Sequence, residues 1–258
     1  MSRAAEFDLI APLYDETRRP PTDIELATLQ ELLGTSRTVL DAGVGTGRFA
    51  VPLRARGFDV VGLDLSVEMM RRARAKGVDA LVRADVRRLP MKQKSIDGSF
   101  MAHVLQLLPD PRPVLAELGR VSRRTVVILL PEWSDHHREG GWRELRDRYR
   151  AIASELGYSL PERPTRYRHS LDELRAISPP SAVREVSSPP GMMPSSDDWI
   201  ARWAARSLGT YQIPPEVHAE IVRRLRAEGR GLPMNRAALR TERFLSWDAA
   251  DLWPGPRR

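Results

Sequence analysis

The chain has 258 residues, 41% of them hydrophobic and 29% charged, with a formal net charge of +7 and no cysteine. This composition excludes wholesale disorder, and the missing cysteine excludes disulfides, zinc–thiolate sites, iron–sulfur ligation and cysteine nucleophiles. The longest aliphatic run, Val126 to Leu130, is far short of the ~20 residues that span a bilayer, which argues against a membrane protein. The excess of cations is spread evenly: 20 Lys and Arg against 16 Asp and Glu in residues 1–130, and 21 against 18 in the rest. A nucleic-acid footprint would be a clustered stripe. The nearest approach to one is Arg71, Arg72, Arg74, Lys76, Arg83, Arg87 and Arg88, which reads as solvated helix and loop faces. The first twenty residues carry seven charges from Arg3 to Arg19 and no apolar core, so no secretory signal is expected and the expected location is cytoplasmic.

Strand and helix patterns alternate through the first half. A helical stretch with Ile24, Leu26, Leu29, Leu32 and Leu33 stops at Gly34. A short strand follows from Thr38 to Asp41, then a glycine-rich turn from Ala42 to Gly47, and a helix ending at Gly57. Phe58 to Leu63 reads as a second strand, and Ser66 caps a second helix that runs to Lys76 with Glu68 in its first turn. Val78 to Val82, Ile96 to Val104 and Thr125 to Leu130 are the next strands, with a helix from Val114 to Val121 before the last of them. This alternation predicts an α/β fold, a mostly parallel sheet with helices on both faces.

The second half differs. All six tryptophans lie beyond Leu130. Trp142, Leu145, Tyr149, Ile152 and Leu156 recur at helical spacing, as do Trp199, Ile200, Trp203 and Leu208, and then Val217, Ile221, Val222 and Leu225. Ala182 to Ser187 and Arg243 to Trp247 read as two further strands. The expectation is one domain over residues 1–258, with helical insertions at 132–180 and 191–240 that return to the same sheet and cap its cleft.

The chemistry is concentrated in Val39-Leu-Asp41-Ala-Gly43-Val-Gly45-Thr-Gly47-Arg-Phe49, a strand running through alternating glycines into a helix. Glycines there let backbone approach a ligand, and the helix start offers unpaired N–H groups. A nucleotide-like ligand is expected outside the carboxyl ends of the strands. Asp64 ends the second strand, 21 residues after Gly43, where a ribose diol needs an acceptor. Asp85 follows the third strand, where the exocyclic amine of an adenine can be read.

With these residues the chain resembles the class I S-adenosylmethionine-dependent methyltransferases of small-molecule type. The carriers are Leu40-Asp-Ala-Gly-Val-Gly-Thr-Gly47, Val61-Gly-Leu-Asp-Leu-Ser66, Ala84-Asp85-Val86 with Leu89-Pro90, and Ile96-Asp97-Gly-Ser-Phe100 through His103 to Pro109. The resemblance covers residues 7–130 and implies a Rossmann-like seven-stranded sheet of order 3-2-1-4-5-7-6 with strand seven antiparallel. It implies S-adenosylmethionine as cofactor, with Asp41 on the methionine ammonium and Gly43 and Gly45 against the methionine and ribose portion. Asp64 would take the ribose hydroxyls, Leu65 would lie on the adenine, Asp85 would accept from the adenine amine, and Val86 would donate its N–H to the ring. His103 would stand beside the sulfonium as candidate general base, with Tyr14 second, in a segment 1–22 that folds over the cofactor as a lid. For His103 a structural hydrogen bond is the competing role. The expected acceptor is a small molecule; a protein or RNA methyltransferase and a non-catalytic cofactor-binding protein are the alternatives. The expected assembly is a monomer or homodimer.

A nicotinamide dinucleotide enzyme also wants glycines after its first strand, but its fingerprint is G-x-G-x-x-G. Here the glycines run G-x-G-x-G behind Asp41, a carboxylate that suits a ligand ammonium and repels a pyrophosphate. Three further features have plainer readings. Asp97 is expected to cap or pair locally, and Pro52 to be a tolerated bend in a first helical turn. Pro131-Glu-Trp-Ser-Asp135-His136-His137 has metal-ligand residue types, but adjacent histidines do not share a helix face, and no metal site is expected.

Overall fold

The computed structural model describes residues 3–15, 18–131, 142–159, 167, 169–188, 213–228 and 240–253. Seven strands form one sheet: β1 (Thr38–Ala42), β2 (Asp59–Asp64), β3 (Leu81–Arg83), β4 (Ile96–Ala102), β5 (Ser122–Pro131), β6 (Ala182–Ser188) and β7 (Arg240–Asp248). Their order is β3-β2-β1-β4-β5-β7-β6. Strands β1 to β5 are parallel, and β7 runs antiparallel between β5 and β6. This is the order expected from the resemblance, and it matters for the site. Because β7 is reversed, its first residues lie at the carboxyl edge of the parallel strands, with Glu242 opposite Pro131.

Helices cover both faces. On one side α2 (Asp23–Leu33), α3 (Ala50–Ala55) and α4 (Val67–Ala75) bury Leu26, Leu29, Leu33, Leu53 and Met70 against Val39, Val60, Phe100, Val127 and Phe244. On the other, α5 (Arg112–Val121), α7 (Leu171–Ile177) and α9 (Ala249–Leu252) bury Val114, Leu115, Leu118 and Leu174 against Leu40, Leu63, Met101, Ile128 and Trp247. Such burial, at about 25 cal/mol per Å² of apolar surface, is the main force holding the layers together. The starts of the helices follow local chemistry. Thr22 and Glu25 form a reciprocal capping box at α2, and Ser66 accepts from the Met69 N–H at α4. Pro52 sits in the first turn of α3, where its missing N–H costs little.

Several strand boundaries differ from expectation: β5 and β7 each start three residues earlier, at Ser122 and Arg240. The third strand starts at Leu81, because Val78 is used to close the end of α4, its N–H donating to the Ala73 carbonyl. The fourth stops at Ala102, because His103 takes a left-handed φ of 60° that no strand sustains. From the two insertions, α6 (Trp142–Glu155) and α8 (Pro215–Ala227) share a small core of Tyr149, Ile152, Ala153, Ile221, Val222 and Leu225. The Tyr149 hydroxyl and His218 Nδ1 are 2.8 Å apart within that pair. The expected stripe Trp199 to Leu208, together with Trp133, His136 and His137, lies outside the described residues. Among the described residues no helix is long and apolar enough to cross a membrane, and no group of three or more acidic or histidine side chains is placed to hold a metal ion.

The chain's first helix, α1 (Arg3–Tyr14), docks on α4. Ile10 and Ala11 pack on Met69, and the Asp8 carboxylate accepts from Ser66 Oγ at 2.6 Å and from the Glu68 N–H at 3.0 Å. Asp15, just beyond the helix, accepts from Thr46 in the glycine-rich turn and from Lys76 Nζ at 2.6 Å.

Candidate active site

The turn after β1 is held by its neighbour strand: the N–H groups of Gly43 and Val44 both donate to the Leu63 carbonyl, at 2.7 and 2.9 Å. Gly43 and Gly45 have φ of 99° and 54°, conformations that disfavour side chains. They differ in surroundings. A Cβ on Gly43 would stand 2.3 Å from Val104 Cγ2, so this glycine lets β4's exit pack against the turn. A Cβ on Gly45 would meet nothing within 4 Å, so the backbone there borders open space.

Two carboxylates flank that space. Asp41 is buried at the end of β1, and its pKa is pushed well above the usual carboxylate range by burial first and then by the charge of Asp64, with Arg48 opposing. Asp64, at the end of β2, accepts from the Gly45 N–H at 2.8 Å through one oxygen and from the Ser66 N–H at 2.9 Å through the other. Burial raises its pKa too, and these backbone donors offset part of the rise. A buried acid beside a half-buried one, both with their charges disfavoured, is a site that a cation would relieve. A pyrophosphate would aggravate it.

Leu65, next along, is 41% exposed, an apolar side chain with nothing covering it completely. Val86 is buried. Asp85 is committed locally: Arg87 donates its backbone N–H at 2.9 Å and its guanidinium at 2.6 Å, which lowers the Asp85 pKa. An adenine amine at Asp85 would therefore share that carboxylate with Arg87. His103 leaves β4 beside Val104, the residue packed on Gly43, and its N–H donates to the Leu129 carbonyl at 3.2 Å. Tyr14 packs with Ile10, Ala11 and Met69, under the guanidinium of Arg18 at 5.1 Å from the ring centre. Asp97 is remote from all of these. It accepts from the N–H groups of Arg37 and Thr38, from the Thr38 hydroxyl and from Arg123, tying together the opposite edge of the sheet, as expected of a structural role.

The expected site residues Asp41, Gly43, Gly45, Asp64 and Leu65 thus share one edge. The structure adds Asp8 and Asp15, which clip α1 to the site. Their spacing of seven residues, two helical turns, is a signal the sequence carries. It also adds Glu242 and Arg19. Glu242 is buried, and its Oε2 lies 3.6 Å from His103 Nε2. Its parity with Phe244 on β7 is the pattern that marks it as inward-facing.

The donor set fits an adenosyl ligand carrying an ammonium and a sulfonium: open space at Gly45, two acids on one side of it, and an uncovered apolar surface at Leu65. A family model described as a methyltransferase domain matches residues 40–130. The malonyl-[acyl-carrier protein] O-methyltransferase of Serratia marcescens is 30% identical over 73% of this chain and 76% of its own length. The chain belongs to the class I S-adenosylmethionine-dependent methyltransferases. An enzyme of the same name from Hamiltonella defensa is 36% identical over 49% of this chain, and the match spans only half of that relative's length. Among solved structures, a putative methyltransferase from an antibiotic biosynthesis pathway of Anabaena variabilis covers 89% of this chain and 98% of its own, with a TM-score of 0.59 at 17% identity, a likeness of fold.

Proposed function

We propose that this methyltransferase carries out methyl transfer to a small-molecule acceptor, with the cofactor seated between Asp41, the Gly43–Gly45 turn and Asp64. The observation that carries the proposal is the buried Asp41 with the half-buried Asp64, whose carboxylate accepts from the open backbone at Gly45. Bound S-adenosylmethionine would supply an activated methyl group on a positively charged sulfur. Asp41 would accept from its ammonium, Asp64 from both ribose hydroxyls through the remaining lone pairs of its oxygens, and Leu65 would lie on the adenine. Val86 would donate its N–H to the ring, and Asp85 would accept the exocyclic amine alongside Arg87. The protein's contribution is then alignment and exclusion of water. Helix α1, clipped by Asp8 and Asp15, would act as a lid over this edge with Tyr14 on its inner side. The insertions 132–180 and 191–240, apart from α7, which packs on the sheet, would enclose the acceptor. A small acceptor is supported over RNA by the even spread of charge, since an RNA substrate needs a basic groove; the relatives named for O-methylation of an acyl group on a carrier protein add a carrier-bound acyl group to the acceptors to be tried.

The test has two parts. Calorimetry should detect binding of S-adenosylhomocysteine, and release of S-adenosylhomocysteine from S-adenosylmethionine should depend on one member of a panel of small carboxylic acids, phenols and amines. Filter binding of bulk transfer RNA from low to high salt should find no tight, steeply salt-dependent complex. Such a complex would replace the small-molecule reading with the polymer one.

A further inference from the structure

Two pairs of charged or titratable side chains, Glu25 with Arg19 and Glu242 with His103, stand at the carboxyl edge of the sheet. Glu25, buried in the first turn of α2, accepts from Arg19, with Nη1 to Oε2 at 2.9 Å and a second bond from Nη2. Arg19 in turn feels the charge of Glu242, which raises its pKa alongside the larger effect of Glu25. Glu242 Oε2 is 3.6 Å from His103 Nε2, and the His103 side chain is 18% exposed. Signs therefore alternate along Glu25, Arg19, Glu242 and His103. With a neutral imidazole these side chains carry two negative charges and one positive. Protonation of His103 would give the buried Glu242 carboxylate a cationic neighbour at 3.6 Å. His103 leaves β4 in a left-handed conformation, with its N–H still bonded to the Leu129 carbonyl. Two further arginines have contacts of their own: Arg48 donates to the Arg19 carbonyl and acts on Asp41, and Arg243 pairs with Glu185.

We propose that Glu242 is a positioning residue that holds His103 through Nε2 and makes its imidazole the base that takes the acceptor's proton. This rests on the functional reading above. In the step, the proton on the acceptor's oxygen or nitrogen passes to His103 Nδ1, and the resulting imidazolium is stabilised electrostatically by the Glu242 carboxylate, 3.6 Å from Nε2, until it returns the proton to water. A carboxylate in this position raises the basicity of the ring.

The experiment is a pH titration of the five histidines by NMR, using protein with 13C-labelled imidazoles and saturated with S-adenosylhomocysteine, with the His103 signal identified by its loss in H103Q. The His103 midpoint in the wild type should lie above the ~6.5 of a free imidazole. E242Q, which keeps shape and removes charge, should lower it by about one unit or more. R19Q, which removes the cation competing for Glu242, should raise it, and this opposite sign keeps the inference testable should E242Q not fold. A wild-type midpoint below that of free imidazole, or midpoints unmoved in either variant while S-adenosylhomocysteine still binds, would overturn the dyad and leave the cofactor reading standing. Failure of the wild type to bind S-adenosylhomocysteine would instead remove the functional reading on which the dyad rests.

Discussion

Adding one methyl group at Gly45 or at Gly43 separates the roles of the two glycines. Gly45→Ala places a Cβ in the left-handed region at φ 54°, which costs about 1 kcal/mol, and that Cβ touches nothing within 4 Å. The expected loss is therefore the backbone cost alone, roughly 2–4 °C in Tm for a chain of this size. The same methyl would fill the space where the ligand meets the turn, and S-adenosylhomocysteine affinity should fall by about tenfold or more, equivalent to ~1.4 kcal/mol. Gly43→Ala, at φ 99°, drives its Cβ to 2.3 Å from Val104 Cγ2. Overpacking of about 1–3 kcal/mol then adds to the backbone cost, and Tm should drop by about 5 °C or more. Because the three nearest atoms all belong to Val104, Val104→Ala in the Gly43→Ala background should recover the packing part and leave the backbone part. Thermal melts and calorimetry with S-adenosylhomocysteine on the four proteins measure both axes. A Gly45→Ala protein that binds as tightly as wild type would refute the placement of the ligand at this turn.

Asp41→Asn should weaken S-adenosylhomocysteine binding by roughly 10- to 150-fold, the loss of one charge-assisted hydrogen bond of about 1.5–3 kcal/mol. Because burial raises the Asp41 pKa in the folded apoprotein, the folded state holds its proton more tightly than the unfolded one, so the wild type loses stability as pH rises from about 4 through the folded pKa. Urea midpoints across that window should fall less for the asparagine variant. Asp97, with its pKa depressed by the Thr38 and Arg37 donors and Arg123, has the opposite sign: its stabilisation is present above about pH 4 and is lost as pH falls through the folded pKa. Asp97→Ala should therefore cost about 2–3 kcal/mol at neutral pH, converge on the wild type in acid, and leave S-adenosylhomocysteine affinity unchanged. Asp8→Ala removes the bonds to Ser66 and Glu68, so amide exchange across residues 7–14 should quicken. In the wild type the same amides should slow when S-adenosylhomocysteine is added; equal protection would make α1 plain scaffold.

The features legible in the sequence are those written in local spacing. A strand entering Gly43-x-Gly45-x-Gly47, an acid ending the next strand, and the alternation of short apolar runs with amphipathic stretches each depend on neighbours within a few residues. Local spacing pointed to a mostly parallel α/β sheet and a nucleotide-like ligand at the glycine-rich turn; the sheet order and the cofactor were implied by the family these motifs resemble. Even the tie between Asp85 and Arg87 is a two-residue contact within reach of sequence reasoning. Only the tertiary structure decided what stands beside His103. Glu242 is 139 residues further along and arrives because β7 is reversed between β5 and β6, which brings a strand's beginning to the edge where the others end. The interaction between Glu242 and Arg19 likewise joins residues that no periodicity relates. Periodicity specifies which face of an element is buried, since that depends on backbone geometry along one segment. Which charges meet across buried faces depends on strand order, direction and register, and these are set by the packing of the whole sheet.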